Sequence, residues 1–231
     1  MSKVGEKVGR KQVDRYGDNV NTEALPGDTW RIRHDSIKTT VASLCRYAGV
    51  SNTVEVYGLF AHLIPQDPLS RIDSARSRQS MIPDMKLELF NRLEGRVQSH
   101  LAEYKIISCG DSRYDRKKWT ENRAVDQRAG QLQAEYLRKA RAADRLGGTD
   151  EGDIGPVEQR LSQFPPIMGL VFGAFNEASE EVHALVDTLA ASRVQSQSLR
   201  QGRGGSEQEL AQVTGQIRRV LSTSLVKANA S

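Results

Sequence analysis

Two short segments with a repeat of two limit this chain more than anything else in its sequence. Met81–Phe90 (MIPDMKLELF) sets Met85, Leu87 and Leu89 against Lys86 and Glu88, and Ser99–Ser108 (SHLAEYKIIS) follows after a brief connection at Asn91–Gly95. Alternation of apolar and polar residues is the pattern of a strand buried on one face. Two such runs so close together predict an antiparallel hairpin. Pro83 has no N–H to give to a ladder, so it belongs at the start of the first strand or on an edge.

The rest of the chain supplies what a hairpin needs for a core. Asp35–Tyr47 places Ile37, Val41, Leu44 and Tyr47 on one helical face, with Asp35 expected as N-cap and Gly49 as the stop. Thr53–Phe60 (TVEVYGLF) is β-branched and aromatic and reads as a strand. Arg123–Leu146 has the length and composition of a substantial helix, ended by Gly147 and Gly148. Pro156–Gln163 reads as a short helical turn, Ile167–Phe175 as a fully buried strand, and Glu180–Ala191 as a helix capped by Ser179. A Gln-, Ser- and Gly-rich linker then leads to an amphipathic segment at Glu207–Leu221. The expected order is α-β-β-β-α-β-α, an α/β fold with a mixed central sheet between helices. Its domain plan is a flexible basic arm at 1–28, a folded domain at 29–192, and a linker with a C-terminal helix at 193–231.

Composition removes several alternatives. With 231 residues, of which 38% are apolar and 27% charged, the chain can bury one good core with tails or form two small domains, and one core with loose ends is expected. Two cysteines, Cys45 and Cys109, can build neither a disulfide framework nor a Cys-rich zinc site, which points to an intracellular setting. No stretch approaches the roughly 18 apolar residues that a membrane span needs, and the basic N-terminus lacks the apolar stretch of a secretion signal. His62, His100 and His183 show no ligand spacing. The net charge of +4 is a weak pointer to nucleic acid. The distribution of charge says more, because Arg113, Arg116, Lys117 and Lys118 crowd together near Tyr114 and Trp119. Arg123, Arg128, Arg138, Lys139, Arg141 and Arg145 follow on the long helix, a stripe suited to phosphate contacts.

Chemistry concentrates on the hairpin. Pro83-Asp84 stands on its first strand and Glu103-Tyr104-Lys105 on its second, where residues two apart share a face. If the hairpin sets Asp84 beside Glu103, the two carboxylates repel unless a cation lies between them, and such oxygen donors suit Mg²⁺. The cation would polarise a phosphate and acidify a water, while Lys105 would orient that water or offset developing charge. The natural reaction is phosphodiester hydrolysis.

The paired motif and the element order over Asp35–Ala191 resemble the PD-(D/E)xK phosphodiesterases. Arg33-His34-Asp35 before the first helix and the proline-aspartate strand are similar to the restriction-like endonuclease region of certain eukaryotic non-LTR retrotransposons, and the run LVFGAFNEASEEVHALV resembles segments found at the ends of mobile-element proteins. The resemblance implies a Mg²⁺- or Mn²⁺-dependent DNA endonuclease with a restriction-endonuclease-like core. Asp84, Glu103 and the backbone carbonyl of Tyr104 would hold the metal, and Asp84, Glu103 and Lys105 would form the catalytic set. Glu55 and His34 are accessory candidates; Glu55 enters because the expected first helix carries no acidic residue. Arg33, Arg113, Arg116, Lys117, Lys118, Arg123, Gln127 and Gln131 would contact DNA. The same resemblance implies target-site nicking for a mobile element, nuclear location, and a chain that is a homodimer or a module of a larger reverse-transcriptase polyprotein. Its rival is a catalytically silent nucleic-acid-binding module with the same fold. A third class, an interaction protein associating through its last helices, would leave the motif and the basic stripe unused.

Overall fold

The computed structural model describes residues 7–8, 11–12, 29–64, 81–91, 94–107, 123–174, 176–202 and 204–230. Within the expected arm, a two-residue antiparallel ladder joins β1 (Lys7–Val8) to β2 (Lys11–Gln12). The main elements are α1 (Thr29–Ala48), β3 (Asn52–Val54), β4 (Met85–Asn91), β5 (Arg96–Ile106), α2 (Arg123–Leu146), α3 (Pro156–Leu161), β6 (Met168–Phe172), α4 (Glu180–Gln201) and α5 (Glu207–Ala230). The strands form a mixed four-stranded sheet in the order β3-β4-β5-β6, flanked by helices. The chain is therefore an α/β protein with the element order expected from its sequence.

The chain divides into two compact units; one division falls between α1 and β3 at Gly49–Val50, and the other three fall inside β5, α2 and β6. The first holds residues 1–49, 104–128 and 170–231. In it α1, α4 and α5 pack around Ile37, Val41, Leu44, Leu185, Leu189, Ile217 and Leu221, all buried. Polar contacts set the register of the helices. Thr40 Oγ1 donates to Ser224 Oγ at 3.0 Å, Ser192 Oγ to the Ala48 carbonyl at 3.1 Å, and the Arg193 guanidinium lies 4.4 Å from the Tyr47 ring centre. Cys45 is wholly buried there, and that burial pushes its thiol up to about 12.

α1 begins six residues before the expected start, so Asp35 lies inside the helix and is not its N-cap. Its carboxylate is engaged by Lys38 Nζ at 3.2 Å, one turn on, and lies 3.3 Å from His34 Nδ1. Those partners outweigh burial and hold the Asp35 carboxyl below its usual range. α4 also overruns its expected end by ten residues, through the first part of the expected linker. Val194 and Ser198 are buried, so the inward face persists until Gly202, whose φ of 65° ends the helix. Ser179 stands at the N-cap position, yet its hydroxyl accepts from Val171 N at 3.2 Å. The helix N-terminus is served by Asp126 instead, whose Oδ1 accepts from Glu180 N at 2.9 Å.

The second unit holds residues 50–103 and 129–169. β4 pairs antiparallel with β3 on one side and β5 on the other. Met85, Leu87 and Leu89 are buried while Lys86 and Glu88 are half-buried, the alternation read from the sequence. Pro83 precedes β4, and its carbonyl accepts from Val56 N at 3.0 Å. The expected strand over Thr53–Phe60 shrinks to three residues. Glu55 adopts φ 51° and Gly58 φ 81°, conformations that leave the strand region and turn the chain. The apolar residues after the turn still find the core: Phe60 and Ile64 pack with Met81, Leu101, Tyr136, Ala140, Val157 and Leu161. Asp144 fastens α3, accepting from Val157 N at 2.8 Å and Glu158 N at 2.9 Å, because Gly155 at the N-cap has no side chain to do so.

Candidate functional site

The β4/β5 register pairs Met85 with Ala102, Lys86 with Leu101 and Glu88 with Ser99. Continued by one residue, it sets Asp84 opposite Glu103, and directly opposed residues of an antiparallel pair project to the same face. β3 extends the row. Val54 pairs with Met85, and Glu55 N donates to the Asp84 carbonyl at 2.8 Å. Glu55 and Asp84, each one residue outside β3 and β4, therefore fall in line with Glu103 of β5. The left-handed backbone at Glu55 gives its side chain a different course, and its carboxylate accepts from the Tyr57 hydroxyl.

Glu103 is only 8% exposed. A buried carboxylate needs hydrogen bonds, and Tyr136, from the middle of α2, donates its phenolic proton to Glu103 Oε2 at 2.7 Å. Burial, together with the carboxylates of Glu103 and Asp84, pushes the Tyr136 phenol far above its usual range, so it stays protonated and acts as a donor. Both carboxylates thus act on one hydroxyl. Further along the same face, Lys86 Nζ meets Glu88 Oε1 at 2.8 Å, and Ser99 Oγ reaches the two Glu88 oxygens at 2.9 and 2.8 Å. Burial works against the charge on Glu88, but these bonds win and hold its carboxyl below the usual range.

In the first unit, Tyr104 is wholly buried, and its ring meets that of His34 edge to face at 6.2 Å between centres. Lys105 follows it in β5, half-buried. Arg33 is half-buried on α1, and its Nε is buried without a hydrogen-bond partner among the described residues. Arg123 opens α2, Gln127 is exposed there and Gln131 half-buried. Arg113, Arg116, Lys117 and Lys118 lie outside the described residues, as do Tyr114, Trp119 and Cys109.

The stripe on the C-terminal half of α2 is less basic than its sequence suggests. Arg138, Arg141 and Arg145 line a groove of about 640 Å³, but Asp144, Asp150, Glu151, Asp153 and Glu158 line it too. Arg141 spends its charge on Glu158, with Nε and Nη2 both about 3.0 Å from the carboxylate oxygens. Carboxylates outnumber guanidinium groups there, so the groove does not favour an anion.

Among the described residues, no group of three or more His, Cys, Asp or Glu is placed to hold a metal ion. The expected donor set is smaller, two carboxylates and one carbonyl. Asp84 and Glu103 fit a hard divalent cation in kind, being oxygen donors opposed on one face. Sequence reasoning missed Tyr136, which lies within the run Arg123–Leu146 read only as a long helix with a basic stripe. The signal was available in principle, because a buried tyrosine usually finds a partner for its hydroxyl. No family model matches the chain, and no curated protein or solved structure matches it either.

Proposed function

We propose that this protein is a metal-dependent endonuclease that hydrolyses DNA phosphodiester bonds, built on a restriction-endonuclease-like topology. The observation that carries the reading is the β4/β5 register, Met85 against Ala102, which, continued by one residue, aligns Asp84 with Glu103, with Lys105 two residues further along β5. Like charges directly opposite on a sheet are destabilising, and a cation between them removes that cost. Asp84, Glu103 and the Tyr104 carbonyl would hold Mg²⁺ or Mn²⁺. When bound, the ion supplies charge stabilisation for the phosphate and acidifies a water. The residues of the chain do the rest. Lys105 orients the attacking water or offsets charge gathering on the phosphoryl oxygens. Arg33, Arg123, Gln127, Gln131 and the cluster Arg113, Arg116, Lys117 and Lys118 position the duplex, and His34 and Glu55 are accessory. Nicking of a chromosomal target by a mobile element is the setting that the retrotransposon resemblance supports.

Incubation of supercoiled plasmid with the protein and Mg²⁺ or Mn²⁺ tests this. Nicked circles are expected with the wild type and none with Asp84→Ala or Lys105→Ala. Binding of DNA with no nick under either ion would make the silent nucleic-acid-binding module the better account.

A further inference from the structure

A hydrogen bond between residues 33 apart in sequence ties the long helix to the carboxylate row: Tyr136 Oη to Glu103 Oε2, 2.7 Å, with the phenol only 1% exposed. The donor itself has little freedom. Tyr136 is set among Met81, Leu101, Ala140, Ala143 and Leu161, and Lys139 Nζ lies 5.3 Å from its ring centre. A glutamate has three side-chain torsions to fix before it can serve as a ligand, and groups that fix a ligand in advance strengthen metal binding without touching the metal. We propose that Tyr136 is a positioning residue of the metal site, holding Glu103 in one rotamer so that its carboxylate meets a divalent cation already oriented beside Asp84. This rests on the metal-site reading of Asp84 and Glu103. It adds a third element, α2, to a site that the sequence motif confines to two strands.

A buried tyrosine hydroxyl could bond a carboxylate merely to satisfy itself, so the test must read something that a structural bond would leave alone. Mn²⁺ titrated into the full chain, with the unbound ion followed by its electron paramagnetic resonance signal, reads metal affinity without any need for turnover. The variants are Asp84→Ala, Glu103→Gln, Tyr136→Phe and the double variant Glu103→Gln with Tyr136→Phe. Tyr136→Phe is expected to bind Mn²⁺ about 10- to 100-fold more weakly than wild type. In the Glu103→Gln background it should add no further loss, because its effect passes through that carboxylate. Wild-type affinity in Tyr136→Phe, or an equal loss whether or not Glu103 is present, overturns the positioning role and leaves the metal site standing. If wild type binds no Mn²⁺, or Asp84→Ala and Glu103→Gln bind as wild type does, the metal-site reading falls and the positioning role with it. Should Tyr136→Phe fail to melt cooperatively, Glu103→Asp takes its place. It withdraws the carboxylate from the phenol without altering α2, and unchanged affinity there overturns the proposal.

Discussion

At the scale of single residues, Asp144 is a buried side chain outside the carboxylate row with a structural task. It is 3% exposed, and its two oxygens accept from the first free N–H groups of α3. Asp144→Ala strands both donors, and a loss of about 1–2 kcal/mol is expected, read as a lowered denaturant midpoint. His100 and Glu88 make a separate prediction about acid. Burial depresses His100 below its ordinary 6.5, only partly countered by Glu88, so the folded state binds its proton less readily than the unfolded chain. The stability this contributes is fully present above pH 6.5 and is lost as pH falls through the lower folded value. Glu88, also depressed, adds a second loss below its ordinary 4.5. His100→Gln should flatten the upper part of the acid limb of a stability profile, and Glu88→Gln the lower part; coincident profiles for wild type and both variants would refute the assignment.

At the scale of elements, much was legible. The repeat of two at Met85–Leu89 and the composition of Arg123–Leu146 predict β4 and α2 closely, because both patterns arise from one buried face. The strand β3 was legible but its end was not, because nothing local in TVEVYGLF announces the left-handed backbone at Glu55 and Gly58 that stops it after Val54. The full length of α4 was hidden for a related reason: Gln, Ser and Arg dominate its last turns, and only Val194 and Ser198 face inward. The carboxylate opposition followed from the hairpin, whereas the bond to Tyr136 depends on how a helix packs on the sheet and has no local signature. One packing detail is testable by itself. A Cβ built on Gly169 in β6 would stand 2.8 Å from Ala129 Cα of α2, and backbone cannot step aside as a flexible side chain would. Gly169→Ala is expected to cost about 1–3 kcal/mol by overpacking, measured as a drop in Tm.

At the scale of the whole molecule, the order of elements was readable from periodicity and length, while the division into two units was not. Three of its boundaries cut β5, α2 and β6 in mid-element, where no linker or change of composition marks them, and the fourth coincides with the helix stop at Gly49, which reads as the end of an element and not of a unit. The C-terminal helix is part of the first unit's core. α5 buries Val213, Ile217, Leu221 and Leu225 beside α1 and α4. A chain ending at Gly202 is therefore expected to lose cooperative thermal melting, which circular dichroism would register; an unchanged melt would show α5 to be dispensable. The buried thiol of Cys45 gives that bundle an internal clock. A thiol held near pKa 12 is almost entirely unionised at pH 8 and shielded from reagent, so it is silent toward a coloured disulfide while the helices stay closed. In a Cys109→Ser background, the slow appearance of colour would count each opening of α1 from its partners. The rate at which this protein breathes could be followed with no label added.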